Sequence, residues 1–546
     1  MVMRYMRSTV RHRLLVALAC CTVSAHLAAA DRTSSPYEPA TPNDHTFVRN
    51  GGPNLDVSCA TFEEGPLTIQ IPVSRYAGET NLDGTLKYAS AAIRNGVVAP
   101  FATLTVAFRQ EQFNTIPPVY AQRDLVSFNG IRVDHVNRKN SPYLAGEPMV
   151  WRDNTFLIPI ERVHFPRFAG LDGATPTPEN NSVTIDIDTL NADHDADNWC
   201  TKLDWVELEI RVASPIILVH GINSSGAFFD RHGFTAALRN QGFIVDNSIN
   251  LGSTGIDLNA VTLGERVPKI VASFGVDSVH LVAHSKGGLD TRAYITDVQP
   301  TGEHPFTVLS LTTLATPHNG SVLADIIVGT HDEAAEGSSL EFPDFPALTG
   351  LLAGMNPFVE GYKDLKPSSC ASFNRRTLQL LPRATAYFAA AGDADLNGNS
   401  RIDNSPDEYA ALRIDCDPLA ATYANPLRGG HFAARLAVDT LYQILRKTPG
   451  VTITTGTRVL EGASYRVAVF HATSGQVDFP NDTLVIMPSA LGSGGFLSKT
   501  SQTTTLTGTA GRNHSSIADS GVASTVRSWI LEIDKARGDL ASEEPR

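Results

Sequence analysis

The residues best suited to chemistry lie in Val282-Ala283-His284-Ser285-Lys286-Gly287-Gly288. An apolar run leads into a tight turn and a helix follows. This is the setting in which a serine sits at a strained apex with its hydroxyl presented as a nucleophile. Small residues at 283, 287 and 288 let strand and helix approach closely, and Ala283 stands where the first glycine of such a corner is usual. An ordinary strand–turn–helix with an exposed serine is the competing reading. A second stretch, Val219-His220-Gly221-Ile222-Asn223, ends another apolar run. The backbone N–H that follows His220-Gly221 and the N–H of Lys286 are candidate donors to an oxyanion formed when serine attacks a carbonyl. His220 itself reads as a packing and hydrogen-bonding residue rather than a base.

A serine nucleophile needs a base, and in this chain order the base follows the acid. It is expected after the last strand and before the terminal helix. Thr503–Thr509 reads as that strand and Ala518–Lys535 as that helix. Between them stands Asn513-His514-Ser515-Ser516, with the last histidine of the chain. His304, His318, His331, His431 and His471 read as loop or core residues. For the carboxylate that orients the imidazole, Asp482 in Asn-Asp-Thr-Leu-Val is favoured. Asp393, directly after the strand-like Thr385–Ala391, is its rival. The loop Asp393-Ala-Asp395-Leu-Asn397-Gly398-Asn399 places oxygen ligands at alternate positions, and Asp403 or Asn404 would close the ring. It is a candidate structural calcium site lacking the bidentate glutamate of the twelfth position. A plain polar turn is the alternative. Asp193, Asp195 and Asp197 read as a solvated acidic loop.

These side chains need elements to hold them. Pro215–Val219 is a continuous apolar run, as expected of a parallel strand buried on both faces. Val279–Ala283, Val308–Ala315 and Thr385–Ala391 repeat it, with helical stretches at Ala260–Phe274 and Leu289–Val298 between. Strands alternating with helices predict a doubly wound parallel sheet over residues 213–546. Two insertions interrupt it. Residues 320–373 carry Leu348, Leu351, Leu352, Met355, Phe358 and Val359 and are a candidate lid, an insertion packed on the core being the alternative. Residues 393–480 hold a helix at Phe432–Arg446 and strands near Val451 and Tyr465. Upstream, Leu67, Ile69, Ile71 and Val73 alternate with other residues, as do Val183, Ile185 and Ile187, and Val206, Leu208, Ile210 and Val212. Period two with turn residues between predicts an all-β, sandwich-like domain over residues 31–212.

The 546 residues are enough for two cores, and 42% hydrophobic with 18% charged residues fit a globular chain. A net charge of −13 without a basic stripe excludes nucleic acid as a partner class. Arg4, Arg7, Arg11 and Arg13, the apolar Leu14–Val23 and the small Ala28-Ala29-Ala30 predict a signal peptide over residues 1–30 and a secreted protein, extracellular, periplasmic or at the cell surface. The apolar run is shorter than the roughly 20 residues of a membrane span. Four cysteines remain after that leader. In an oxidising compartment they predict two disulfides. Of the three pairings, Cys59–Cys200 with Cys370–Cys416 is preferred because it keeps each within one region, and buried free thiols are the alternative.

Ala-His-Ser-Lys-Gly-Gly, the Val-His-Gly strand end, Leu-Ala-Thr-Pro-His-Asn-Gly-Ser (314–321), Asn-Asp-x-Leu-Val and Asn-His-Ser together resemble the bacterial secreted triacylglycerol lipase/esterase family. The resemblance covers most of residues 213–535. It implies an α/β-hydrolase fold, a triad of Ser285, Asp482 and His514, and oxyanion-hole amides from Ile222 and Lys286. The expected reaction is hydrolysis of carboxylic esters through an acyl-enzyme, acyl lipids being the expected substrates and the lid a contact for a lipid interface. No cofactor is needed for that chemistry. A polyester depolymerase or an acyltransferase would use the same triad, and a surface-binding protein working through its β-rich domain is the non-catalytic alternative. Two departures stand out. The insertion ahead of Asp482 is longer than the family's spacing, and Ser516 stands where some members carry an acidic calcium ligand.

Overall fold

The computed structural model describes residues 34–538 except for several internal stretches, the longest being 329–359 and 399–441. The expected leader (residues 1–30), Cys416, the apolar cluster 348–359 and most of the 432–446 segment lie outside the described residues. The chain divides into two compact units. One comprises residues up to Ala89 with Val98–Arg167 and Pro176–Val212. The other begins at Ala213 and also takes Ser90–Val97 and Phe168–Thr175.

The first unit is built of antiparallel strands: β1 (Thr46–Asn50), β2 (Leu67–Val73), β3 (Phe101–Gln112), β4 (Leu125–Phe128), β5 (Ile131–Arg132), β6 (Asp134–His135), β7 (Arg152–Pro159), β8 (Glu179–Asp186) and β9 (Trp199–Glu209). They form a five-stranded sheet, β1-β9-β3-β7-β6, and a four-stranded sheet, β2-β8-β4-β5. The period-two pattern explains the register. Leu67, Ile69, Ile71 and Val73 are buried while the residues between them are exposed. Leu67 lies opposite Ile185 and Ile69 opposite Val183, so the apolar faces of β2 and β8 coincide. Cys59 and Cys200 are disulfide-bonded. The second expected disulfide is not formed by Cys370, a free, buried thiol. Its Sγ donates to the carbonyls of Pro317 and Asp364 at 3.5 and 3.2 Å, and burial pushes its pKa up to about 12. Counting cysteines to an even number does not reveal a thiol that is already satisfied in the core.

The second unit is organised on a six-stranded parallel sheet. Its strands are β10 (Ile216–Val219), β11 (Val245–Asp246), β12 (Ser278–His284), β13 (Thr307–Leu314) and β14 (Ala386–Asp393), with β17 (Thr503–Ala510) at the far edge. Between β14 and β17 the chain makes an antiparallel hairpin of β15 (Val451–Leu460) and β16 (Ala463–Ala472). Every residue of β10 and β12 is buried, β10 being wholly apolar and β12 carrying Ser278, His280 and His284 among its apolar residues. The order β11-β10-β12-β13-β14-β17 reverses direction at β10/β12. The chain visits one side of β10 through β11 and then crosses to the other, leaving a crevice at the carboxyl ends of β10 and β12. The serine corner follows β12, and the His220-Gly221 corner follows β10.

Candidate active site

Ser285 has φ 53° and ψ −133°, a left-handed conformation that a side chain adopts only under constraint. The neighbouring glycines explain how the constraint is met. A Cβ at Gly287 would overlap the carbonyl oxygen of His220, and one at Gly288 would overlap the Thr316 side chain. A Cβ at Gly221 would stand 2.7 Å from that of Ser285. Ala283, inside the fully buried β12, takes the place of the usual glycine without disturbing the corner.

The structure brings His514 and Asp482 to this serine. His514 Nε2 is 2.8 Å from Ser285 Oγ, and His514 Nδ1 is 2.9 Å from Asp482 Oδ2. Asp482 is fully buried, and its Oδ1 accepts the N–H groups of Leu484 and Val485 at 3.0 and 2.7 Å. Its carbonyl accepts the His514 N–H at 2.7 Å, fixing the two loops to each other. With the carboxylate as acceptor, the Nδ1–H tautomer leaves the Nε2 lone pair facing the serine hydroxyl.

Asp393 lies elsewhere in the bonding scheme. Its Oδ1 accepts from the Tyr442 hydroxyl and the Asp395 N–H, and burial raises its pKa. Asp395 Oδ1 accepts the Gly398 N–H at 2.7 Å. In the described part of the candidate calcium loop these two carboxylates accept backbone N–H groups of a turn. Asn399, Asp403 and Asn404 lie outside the described residues. Among the described residues, Asp393 and Asp395 join no cluster of three His, Cys, Asp or Glu ligands. Ser516 is a turn residue as well, its Oγ accepting the Asn513 N–H at 2.9 Å.

His220 Nδ1 is 2.7 Å from the Gly221 carbonyl, and its Nε2 accepts the Leu251 N–H at 3.0 Å. Nδ1–H therefore holds one end of the Gly221–Ile222 peptide, whose other end is the Ile222 N–H. Burial lowers the His220 pKa, keeping it neutral in this role. Sequence reading missed three neighbours. His284 is buried, stacks on Phe228 with ring centroids 4.2 Å apart, and donates from Nε2 to the His514 carbonyl at 2.7 Å. Its burial pushes its pKa well below the usual value. Asn223, at φ 53°, donates through Nδ2 to the Tyr362 hydroxyl at 2.7 Å. Asp290 pairs with the Lys286 ammonium. For His284 the signal was its place beside the serine, and for Asp290 its i,i+4 spacing from Lys286; the Asn223–Tyr362 contact spans 139 positions and leaves no local pattern. His318 is a core residue, bonded by Arg292 and Thr313.

A cavity of about 330 Å³ opens on Ser285 and His514. Its walls are largely apolar, with Ile222, Phe228, Leu323, Leu365, Leu484 and Val485 among them. The arrangement presents a hydroxyl, a base in line with a carboxylate, and a chamber that takes hydrocarbon in preference to water.

No family model matches the chain. Over 120 residues it is 32% identical to a triacylglycerol lipase of Pseudarthrobacter phenanthrenivorans, a stretch covering 21% of this chain and 36% of the relative. The same identity over 120 residues links it to a triacylglycerol lipase of Burkholderia plantarii, covering 21% of this chain and 32% of that one. The matched stretch thus spans about a third of these relatives' length. Among solved structures, the mature form of a Bacillus licheniformis lipase is 20% identical, with a TM-score of 0.34, covering 58% of this chain and 92% of its own. EstA of Clostridium botulinum is 14% identical with a TM-score of 0.32, covering 61% and 89%. The relatives named triacylglycerol lipase agree with the family likeness of the motifs.

Proposed function

We propose that this chain is a serine hydrolase of the α/β-hydrolase type that cleaves carboxylic esters, acyl lipids foremost, through an acyl-enzyme on Ser285. The observation that carries the reading is the continuous line from Ser285 Oγ through His514 to Asp482, with 2.8 and 2.9 Å links, at the wall of an apolar cavity. The local identity to triacylglycerol lipases supports the substrate class.

In this mechanism His514 Nε2 takes the Ser285 proton as Oγ attacks the ester carbonyl. The tetrahedral oxyanion is received by the amides of Ile222 and Lys286. His514 then passes the proton to the departing alkoxide. Water attacks the acyl-enzyme with His514 again as base, releasing the acid and restoring the serine. Asp482 keeps the imidazole in the required tautomer and stabilises the imidazolium. We assign the chain to the outside of the cytoplasm on its leader sequence and its Cys59–Cys200 disulfide. The N-terminal unit is taken as a sandwich-like companion domain, on the strength of its two antiparallel sheets.

The test is hydrolysis of nitrophenyl butyrate and of emulsified triglyceride by the folded protein and by Ser285→Ala. The reading requires turnover of at least one and a fall of roughly 10⁴-fold or more in kcat for the variant. A wild-type protein no better than Ser285→Ala on both substrates overturns it.

A further inference from the structure

The residue after the nucleophile is a lysine, and its side chain is wholly buried. Lys286 Nζ lies 2.6 Å from Asp290 Oδ1, one helical turn on, with both side chains at most 2% exposed. Taking two charges out of water is costly, and packing alone does not call for it at this position. The bonds leaving the pair run to one place. Asp290 Oδ2 accepts from Asn259 Nδ2 at 3.0 Å, and the same amide reaches the Gly252 carbonyl at 3.0 Å. Asn259 Oδ1 accepts from the Thr254 hydroxyl at 2.8 Å. The loop Leu251–Gly255 is thereby anchored to the helix that starts at Lys286.

That loop in turn grips the chain on both sides of the Gly221–Ile222 peptide. Ahead of it, the Leu251 N–H donates to His220 Nε2, and His220 holds the Gly221 carbonyl. Behind it, the Ser253 hydroxyl donates to Asn223 Oδ1 at 2.5 Å and accepts the Asn223 N–H at 3.2 Å. Gly361 closes over the loop, donating to the Ser253 carbonyl at 3.1 Å, where any Cβ would press on Ile222 and on the loop's own carbonyls. One connected chain of bonds therefore joins the helix that carries the Lys286 amide to the corner that carries the Ile222 amide.

We propose that the buried Lys286–Asp290 ion pair, acting through Asn259 and the Leu251–Gly255 loop, is a positioning device that sets the spacing of the two oxyanion-binding amides. The inference rests on the hydrolase reading above and adds residues to it: Asp290 and Asn259 are positioning residues that touch no substrate. Their contribution is expressed only when the oxyanion forms, since a carbonyl oxygen in the ground state makes weaker demands on donor placement.

The test compares wild type, Asn259→Ala, and the double variant Lys286→Met/Asp290→Leu, which replaces the ion pair by apolar groups of similar volume and so protects the fold. Each is assayed on nitrophenyl butyrate and against an alkyl trifluoromethyl ketone, which adds Ser285 to give a tetrahedral oxyanion. In both variants kcat is expected to fall between about 10- and 100-fold, with KM within about twofold. Ketone affinity should fall by the same factor as kcat. A folded double variant with unchanged kcat and ketone affinity overturns the proposal. So does a loss confined to KM, or a fall in kcat that leaves ketone affinity intact. A wild-type protein inert to both ester and ketone overturns the hydrolase reading, and this inference with it.

Discussion

Among the described residues, the parallel sheet and its flanks hold two serine–histidine–aspartate lines, and only one of them is proposed to do chemistry. At the carboxyl end of β12, Ser285, His514 and Asp482 are joined at 2.8 and 2.9 Å. Further back on the same strand, His280 meets Ser310 Oγ at 2.8 Å and Asp534 Oδ1 at 3.0 Å. Residue types and distances nearly coincide. The surroundings do not. In the second line Ser310 lies in the regular strand β13, and all three residues are fully inaccessible. Asp534 also takes the Ser214 N–H at 3.2 Å, so the group ties the terminal helix Ser520–Arg537 to the sheet. The nitrogens are exchanged as well: serine meets Nδ1 and aspartate meets Nε2, the reverse of the order at Ser285. What separates the two is a strained backbone at Ser285 and a cavity beside its hydroxyl, together with the amides proposed above to receive charge. A hydrogen-bonded triad alone is a structural fastener.

The contrast is broken most severely at the carboxylates. Asp482→Asn is expected to lower kcat by roughly 10⁴-fold, through loss of the productive His514 tautomer, with little change in melting temperature. Asp393→Asn should leave kcat within about threefold, because its partners are Tyr442 and a turn. Steady-state kinetics on one soluble ester reads both, and a loss confined to Asp393→Asn would reassign the acid.

Gly221→Ala probes the crevice itself. The added methyl would stand 2.7 Å from Ser285 Cβ, so serine or corner must shift. A fall in kcat of about 10- to 100-fold is expected, measured beside an unchanged far-ultraviolet circular dichroism spectrum. Full activity would mean that the corner tolerates displacement.

Ser310→Ala should do the opposite of an active-site change. Leaving His280 Nδ1 without its partner costs about 1–3 kcal/mol of stability, seen as a lower denaturation midpoint, while kcat per folded molecule stays the same. Any large loss of kcat would give the buried line a role beyond fastening.

The smallest expected effect is one of pH. Burial holds His220, His284 and His318 below the usual imidazole value of 6.5. In the unfolded chain each binds a proton below about that pH. Their contribution to stability is therefore complete above about 6.5 and is lost progressively as the pH falls from there toward each group's lowered folded value. Melting temperatures between pH 7.5 and 5 should decline, and His284→Gln should make the decline shallower. An equal slope in the variant would remove His284 as a contributor.

The sequence shows the active-site line better than the fastener for a physical reason. Ser285 sits in a local strand–turn–helix pattern, and His514 falls between the last strand and the last helix. Both positions follow from order along the chain. The buried line joins residues 280, 310 and 534 through side chains that carry no pattern of their own. The same limit applies to Asp482 against Asp393, which spacing leaves open and a 2.9 Å contact distinguishes. It applies to Asn223 and Tyr362, 139 positions apart, and to Cys370, whose thiol is satisfied by carbonyls that no cysteine count reveals. Alternating and continuous apolar runs anticipated the antiparallel and parallel sheets. They gave no sign that Ser90–Val97 and Phe168–Thr175 belong to the second unit.

The central claim is that Ser285 is the reactive serine of this molecule. Fluorophosphonate labelling of the native protein, followed by peptide mapping, tests it most directly. The account predicts a single adduct on Ser285, retained in Ser310→Ala and absent from Ser285→Ala. No adduct on the folded wild type, or an adduct on another serine that survives Ser285→Ala, would contradict it.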